Sequence, residues 1–449
     1  MAPPQPMMPV LAGSEPARRR SPMATLIRNP FGLAGLVFLL AALIACVGTL
    51  PLTMSARPES TPDSEPTPSS PVEARASRPP PRYNAGDPAA GRLPPLWVPP
   101  DAVHDERLRT LVPDETVRRI AAEYGIDPED VRDAREGPAA DELRAAYPRW
   151  LLGTDKLGRS LLVRSLAGGG VSLTIGLAAA VISVAIGTGY GVVSGFAGGR
   201  IDAVMMRIVD VLYGLPYVLL VVLLAVAGDA LLDQYISRSR DRAAFVETRL
   251  AETIVAPTSQ ADGQANEQAD DRAEQQAELI DAFRLEAQER YPARKVSESQ
   301  RLGYELVVLL VAIGGVSWLT MARVIRGQVL SLKSRLFMEA ARATGVPLWG
   351  QFARHLLPNL IGPIVVYTTL TVPQAILQES FLSFLGIGVR PPLPSWGNLA
   401  AEGLSELNTH RSDWWQLLFP CLLLGLTLLA LNFVGESLRE SLDPKRRTR

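Results

Sequence analysis

The sequence predicts an all-α membrane protein that crosses the bilayer about six times. The chain has 449 residues, of which 47% are hydrophobic, and its net charge is -1. Charge is almost absent from about six stretches of roughly 20 residues, which is enough to cross a hydrocarbon layer about 30 Å thick as a helix. Because lipid offers the backbone no hydrogen-bond partners, α-helix is the form expected of each stretch.

The first apolar stretch, FGLAGLVFLLAALIACVGTL at 31–50, follows a Pro-rich tail that carries Arg18, Arg19, Arg20 and Arg28. Basic residues before an apolar segment also describe a cleaved signal sequence, whose apolar core is usually about 7–15 residues long. The stretch here is longer than that. We therefore predict a retained first span.

A small extramembrane segment is predicted after the first span. The stretch 59–82 is rich in Pro and Ser, which is typical of an extended or disordered linker. The stretch VPDETVRRIAAEYGIDPEDVRDAR at 112–135 predicts two short helices, with Asp114 and Asp127 as caps and Pro128 in a first turn. Neither stretch contains a catalytic pattern.

The remaining apolar stretches predict five more spans. They lie at 171–196, 208–228, 304–322, 360–385 and 417–436. The polar residues between the third and fourth spans predict an insertion of solvated helix or disorder. The chain is thus divided into a tail at 1–29, a first span at 30–50, an outer segment at 51–150, the start of the membrane domain at 151–228, an outer insertion at 229–303, the rest of the membrane domain at 304–436 and a basic tail at 437–449.

The distribution of basic residues predicts that both termini face the cytoplasm. The connection between the fourth and fifth spans, residues 326–359 and here called the elbow, carries several arginines and Lys333 against Glu339 alone. The C-terminal tail is also basic, whereas Glu402, Glu406 and Asp413 outnumber the basic residues between the fifth and sixth spans. The segments 51–150 and 229–303 would then face outward.

The elbow contains the stretch EAARATGVPLWGQFARHLLPN at 339–359. Its alanines favour helix, and Gly345 followed by Pro347 predicts a helix stop and a new helix start. Pro358 is predicted to end this second helix before the fifth span begins. Two interpretations stay open on composition: a knob that inserts into a groove of another protein, or a loop helix that rests on lipid headgroups.

The stretch resembles the EAA loop of type I ABC importer permeases, which reads Glu-Ala-Ala, three residues, Gly, nine residues, Ile, one residue and Leu-Pro. His355 takes the Ile place, as in the dipeptide/oligopeptide branch of that family. The positions that match the pattern are Glu339, Ala340, Ala341, Gly345, Leu357 and Pro358. The resemblance implies that the elbow docks into a cleft of a cytoplasmic ATPase subunit and carries its motion into the membrane.

Three other stretches, at 152–173, 198–220 and 379–399, resemble segments of the same branch. The resemblance covers the first span and residues from about 150 onward, outside most of 229–303. Ser160 stands where the family usually has an acid, and Gly170 where an arginine is common. These departures bear on the local packing of the segment before the second span.

The resemblance implies a permease subunit of a bacterial ABC importer of the dipeptide/oligopeptide/nickel type, with the type I importer fold, in the cytoplasmic membrane. Its implied partners are a second permease subunit in a heterodimer, one or two cytoplasmic ATPase subunits, an extracytoplasmic substrate-binding protein and membrane lipids. The chain has four lysines, none after a glycine, so it lacks a P-loop. We therefore expect no enzyme activity and no cofactor in this chain, with ATP and Mg²⁺ held by the partner ATPase.

Further candidate residues lie on or near the spans. Arg207 and Asp210 are interpreted as a structural ion pair or as a second ATPase contact. Gln374, Gln378 and Glu379 are candidates to line the transport route, and Glu379 equally to cap the next loop. Three glycines spaced by four residues predict close helix packing, within the subunit or against a second permease: Gly187, Gly191 and Gly195.

Several other functions find less support in the sequence. The three histidines are far apart, so no metal site is expected, and the basic residues are explained by topology without nucleic acid. A secondary transporter driven by an ion gradient would have inverted repeats and buried coupling acids, and no paired repeat is visible. A membrane-anchored structural protein, with 51–150 and 229–303 as its functional parts, is a further alternative. The substrate is not encoded in any motif.

Overall fold

The computed structural model describes residues 29–55, 80–254, 267–294, 296–407 and 413–442. Predictions for the N-terminal tail, most of the Pro/Ser-rich linker and the end of the basic tail lie outside these residues. The described part is mostly helical, and its β-type pairings are isolated bridges such as those of Gly86 with Arg159 and Thr154 with Ser160. Six helices are long and apolar enough to span a membrane, as predicted: Pro30–Met54, Leu161–Ala197, Tyr217–Ser237, Gln300–Lys333, Leu348–Phe384 and Trp415–Ser441.

The helices are numbered along the chain. They are α1 Pro30–Cys46, α2 Leu50–Met54, α3 Ala102–Leu111, α4 Asp114–Tyr124, α5 Pro128–Asp133, α6 Pro138–Ala145, α7 Leu161–Ala197, α8 Gly199–Tyr213, α9 Tyr217–Ser237, α10 Ser239–Ile254, α11 Glu267–Arg290, α12 Glu298–Lys333, α13 Leu336–Ala343, α14 Leu348–Gly350, α15 Leu357–Phe384, α16 Trp396–Ser405 and α17 Trp415–Leu442. A π-helical turn, Gln351–Leu356, joins α14 to α15.

The second and fourth spans, α7 and α12, form the centre of the bundle because glycines let their backbones approach. A Cβ atom on Gly191 would lie 2.5 Å from the carbonyl oxygen of Ala322. Gly187 and Gly195 face Met321 and Val329 of α12 in the same way. Small residues at this spacing are the usual means of close packing between membrane helices. The three glycines therefore pack within the subunit, the first of the two interpretations.

The first span packs against the last. Gly35 of α1 lies against the backbone of Ala430 on α17, and the rings of Phe31 and Phe433 are 5.5 Å apart. Much of the apolar surface of the third span, α9, stays uncovered, including Leu219 and Leu223. Apolar side chains on the outside of a bundle are expected where lipid or a second membrane subunit replaces water.

The helices α3 to α6 form a separate small unit around their own core, which is lined by Leu108, Val117, Ile120, Val131 and Leu143. Asp127 caps α5 as predicted, because its carboxylate accepts the N–H of Glu129. The predicted cap at Asp114 is wrong. Pro113 takes the cap position, which leaves Asp114 inside the first turn of α4, where it pairs with Arg132 at 2.6 Å.

The helices of the third and fourth spans continue into the polar insertion, beyond the ends predicted for these spans. The third span begins at Tyr217 and not at 208, because residues up to Tyr213 belong to α8, and it continues to Ser237. The fourth helix begins at Glu298. The helices α10 and α11 pack on each other between them. Arg249 of α10 pairs with Glu286 of α11 at 3.1 Å. Most of the described part of the insertion is therefore helix.

Candidate coupling elbow and membrane route

The elbow turns sharply at Gly345, as the sequence predicted. The helix α13 ends at Ala343, and Gly345 adopts a φ of 73°, a left-handed conformation that glycine adopts without steric cost. The N–H of Val346 then donates to the carbonyl of Ala341 at 3.0 Å. This bond closes the end of α13 in the manner of a Schellman cap.

Two apolar residues fix the elbow to the membrane bundle. Met338 of α13 and Leu356 of the π-helical turn are both fully buried. They belong to one cluster with Ile325 and Val329 of α12 and Val192 of α7. The elbow is therefore packed directly against the second and fourth spans.

The residues that match the EAA pattern do not all face outward. Glu339, Ala340, Gly345 and Pro358 are exposed, and Leu357 is exposed to 36%. Ala341 is buried on the face of α13 that packs against the bundle. Its small size thus serves the packing of α13 on the bundle, and it is not available to a docking partner.

The sequence reasoning missed the apolar surface of the elbow. Leu336 is 83% exposed, Leu348 is 68% exposed and Trp349 is 75% exposed. A group of large, exposed apolar side chains is typical of an interaction surface. Their signal in the sequence was the placement of Leu, Phe and Trp in an otherwise polar connection.

The prediction that Pro358 ends the second elbow helix is wrong. The helix runs from α14 through the π-helical turn into α15 without a break. Proline lacks an N–H and its ring crowds the preceding turn, so it normally disrupts a helix interior. Here the wider turn at Gln351–Leu356 lies directly before it, and Pro358 stands in the first turn of the α-helical segment. The second elbow helix, from Leu348, and the fifth span therefore form one continuous helix.

An ion pair ties the connection between the second and third spans to the fourth. Arg326 of α12 donates two hydrogen bonds to Asp202 of α8, each 2.5 Å long, and Ser194 donates a third. The hydrogen bonds from Arg326 lower the pKa of Asp202 below its usual value, although partial burial opposes them. Lys333 adds a bond to the carbonyl of Phe196 at 2.6 Å.

The predicted pair of Arg207 and Asp210 is not formed. Asp210 instead accepts a hydrogen bond of 2.8 Å from Arg323 of α12, whose guanidinium lies 4.0 Å from the ring centre of Tyr213. Arg207 is exposed on α8. The correction follows from tertiary packing, because the connection lies against α12 and offers Asp210 a cation from another helix.

The polar residues of the fifth span occupy three different environments. Gln374 is exposed, and Gln378 accepts a 2.7 Å hydrogen bond from Tyr217 of α9. Glu379 is completely buried and accepts hydrogen bonds from Ser380 and Ser383. Glu379 therefore does not line an open route in this structure, and its geometry fits the alternative of stabilising the following loop.

A cluster of buried charged side chains lies at the end of the bundle opposite the elbow and connects segments that are distant in the sequence. Arg164 of α7 is 1% exposed and donates to Asp155 at 2.7 Å and to Glu402 of α16 at 2.5 Å. Arg159 also binds Asp155, at 2.6 Å. The stretch 152–173 was singled out by resemblance, but its charged partners were not predicted.

The two departures from the family pattern have local consequences. A Cβ atom on Gly170 would lie 2.8 Å from the side chain of Leu50, so α2 occupies the space that a larger residue would fill. Ser160 is the residue before α7 and forms no side-chain cap. Gly170 thus allows the segment after the first span to pack directly on the second.

Among the residues that the structure describes, no three His, Cys, Asp or Glu side chains are grouped to hold a metal ion. The polar groups that the structure does bring together are ion pairs between helices and a serine-lined carboxylate. These arrangements position helices.

The comparison with known proteins agrees with the helical architecture and the elbow pattern. The profile of the family described as "Binding-protein-dependent transport system inner membrane component" matches residues 187–448. The chain belongs to this family. It is a multi-pass permease subunit of an ABC importer, as the elbow pattern predicted, and the secondary-transporter alternative is not favoured.

Several curated relatives cover most of this permease. The oligopeptide transport system permease protein OppC of Haemophilus influenzae is 35% identical over 295 residues, which are 66% of this chain and 70% of the relative. The dipeptide transport system permease protein DppC of Bacillus subtilis is 34% identical over 313 residues, covering 70% and 74%. OppC of Escherichia coli is 37% identical over 295 residues, covering 66% and 72%. These relatives are named as transport permeases, in agreement with the family that the profile assigns to this chain.

Proposed function

We propose that this permease forms half of the translocation pathway of an ATP-driven importer for peptides or similar small solutes. The names of its relatives, oligopeptide and dipeptide permeases at 34% to 37% identity, support this substrate class. The proposed partners are a second permease subunit, one or two cytoplasmic ATPase subunits and an extracytoplasmic binding protein. ATP and Mg²⁺ would be bound by the ATPase subunits, which leaves this chain without a cofactor.

The proposed location is the bacterial inner membrane, with both termini and the elbow in the cytoplasm. The excess of basic residues in the elbow and both tails supports this orientation. The small unit of α3–α6 and the insertion that contains α10 and α11 would then face outward. The uncovered apolar face of α9 is available to lipid or to the second permease.

The proposed mechanism is alternating access driven from the elbow. Closure of the ATPase subunits would push the exposed surface that contains Glu339, Gly345 and Trp349. The single observation that carries this proposal is the continuous helix from Leu348 to Phe384, which joins that surface to the fifth span. Met338 and Leu356 connect the same surface to the second and fourth spans. A push on the elbow would therefore tilt three spans together.

Two further assignments belong to this proposal. Arg207 is exposed near the elbow side of α8 and is a candidate for a second ATPase contact, now that it has no role in pairing with Asp210. Gln374 and Gln378 are candidates to line the pathway, because the first is exposed and the second lies between α15 and α9.

The test is co-purification of the permease with its ATPase, combined with uptake of a labelled peptide. Glu339→Arg and Gly345→Trp should abolish both, because each changes an exposed position of the elbow. Glu123→Arg on α4 is the matched control, since it reverses an exposed charge in the small unit of α3–α6, away from the elbow. Normal uptake in both elbow variants, or peptide transport by the purified permease alone, would refute the proposal.

A further inference from the structure

Glu379 of the fifth span is a buried carboxyl group that the coupling mechanism above does not use. It is 0% exposed and lies where α15, α7 and the segment before α16 meet. Four serine hydroxyls face it: Ser380 and Ser383 from its own helix, Ser172 from α7 and Ser395 from the start of α16. A buried acid with so many hydroxyl partners calls for a structural or functional reason.

Three of these serines also hold the backbone of the following loop and helix. Ser383 accepts the N–H of Val389 at 2.9 Å. Ser172 accepts the N–H of Trp396 at 3.2 Å, and Ser395 accepts the N–H of Asn398 at 3.3 Å. Residues 389–398 are therefore attached through serine oxygens to α15, to α7 and to their own helix start.

The direction of these bonds assigns a role to the carboxyl group. A serine hydroxyl has one proton and accepts through its oxygen, whereas an ionised carboxylate only accepts. When the serine oxygen receives a backbone N–H, its own proton is free to be donated to Glu379, as Ser383 does at 2.8 Å. Glu379 thereby orients several hydroxyls at once, and each oriented hydroxyl presents its lone pairs to the loop.

Other contacts show how closely the loop packs against α15 and α7. A Cβ atom on Gly397 would lie 2.1 Å from the carbonyl oxygen of Ser380, so α16 rests directly on α15. The indole N–H of Trp396 donates to the carbonyl of Ser165 on α7 at 3.0 Å. Asn398 bonds the carbonyls of Val389 and Leu393 at 3.2 and 2.8 Å. The loop is therefore packed tightly on the end of the bundle opposite the elbow.

We propose that Glu379 is a positioning residue that holds residues 385–398 against the second and fifth spans and so keeps the end of the route opposite the elbow closed. This inference rests on the alternating-access cycle proposed above for its place in transport. The attachment itself is independent of that cycle. In the cycle, separation of α7 from α15 would break the serine bonds together, because one carboxylate organises them.

The test measures how readily the loop opens. In the purified full-length permease with its two native cysteines replaced, Val389→Cys is labelled with a maleimide, since Val389 is 4% exposed and reacts slowly while the loop is closed. Adding Glu379→Ala should speed labelling about tenfold, as expected when a buried hydrogen-bond acceptor is lost. Glu379→Gln, which keeps the shape but offers one acceptor oxygen, should give an intermediate rate and guards against misfolding of the alanine variant.

The matched control is Ser380→Ala. Ser380 contacts Glu379 at 3.3 Å but forms no described bond to the loop, whereas Ser383 does. Ser383→Ala should therefore speed labelling and Ser380→Ala should leave it within about twofold of the parent. Equal labelling rates for the parent, Glu379→Gln and Ser383→Ala would overturn the inference. Failure of the elbow variants to impair uptake would refute the coupling proposal and leave the labelling result standing.

Discussion

Arg164 of α7 and Glu402 of α16 are joined by two hydrogen bonds, of 2.5 and 3.1 Å, although 238 residues separate them in the chain. Asp155 accepts a further bond from the same guanidinium at 2.7 Å. The segment before the second span, the second span itself and the helix before the sixth span are therefore connected at one buried cation.

Arg164→Ala is expected to destabilise the permease by about 3 kcal/mol, the lower end for breaking a buried pair, because Asp155 and Glu402 would lose one buried cation while Arg159 still pairs with Asp155. Arg144→Ala is the control, since Arg144 forms an exposed pair with Asp141 at 3.1 Å whose loss should cost less than about 1 kcal/mol. The measurement is the melting temperature in detergent. Equal melting temperatures of the two variants would contradict the role of the cluster.

Gly191→Ala should loosen the contact between α7 and α12 and destabilise the protein by about 1–3 kcal/mol, the usual cost of overpacking. The added methyl group would meet the backbone oxygen of Ala322, which cannot rotate away. Gly189 lies two residues earlier on the same helix with open space beside it. Gly189→Ala should therefore be neutral in the same thermal assay, and a similar loss from both substitutions would argue against the glycine contact.

The stability of the permease should fall in acid partly through Asp202. Its folded pKa is depressed by Arg326, so its contribution is present above the ordinary aspartate pKa of about 3.9 and is lost as the pH falls through the lower folded value. Asp202→Asn should lower stability at neutral pH and flatten the acid limb of the stability curve. Asp210→Asn, which removes a more exposed partner of Arg323, is the comparison. An unchanged acid limb in Asp202→Asn would refute the assignment.

Trp349→Ala should weaken binding of the proposed ATPase partner by at least about 30-fold, because exposed tryptophans are frequent hot spots of interfaces. Trp349 is 75% exposed and contacts Phe352 at a ring distance of 5.5 Å, so truncation removes surface without opening the core. Leu404→Ser changes an exposed apolar residue on α16, away from the elbow, and should leave binding unchanged. The affinity is measured with the purified subunits, and equal affinities would exclude Trp349 from the contact.

Local patterns in the sequence were sufficient for the six spans and for the turn of the elbow. The length of an apolar stretch decides whether it crosses a bilayer, and a Gly followed closely by Pro ends one helix and starts another. The same local reasoning misjudged Pro358, because the π-helical turn that accommodates it depends on how Leu356 packs against the bundle. It also ended the third span too early, at 228, because the helix continues as polar residues that no longer lie in the apolar stretch.

Which charged side chains pair with each other could not be predicted from the sequence. Asp210 pairs with Arg323 and Asp202 with Arg326 across more than a hundred residues, and the spacing of Arg207 and Asp210 along one helix suggested a different pair. Glu379 shows the same limit, since its burial depends on serines from α7 and α16. The lengths of the apolar stretches and the elbow motif are properties of short stretches of sequence. They were enough to predict a membrane protein and its family. The ion pairs, the buried carboxylate and the closed loop arise when distant helices meet, because packing selects which polar groups lose water and must find one another.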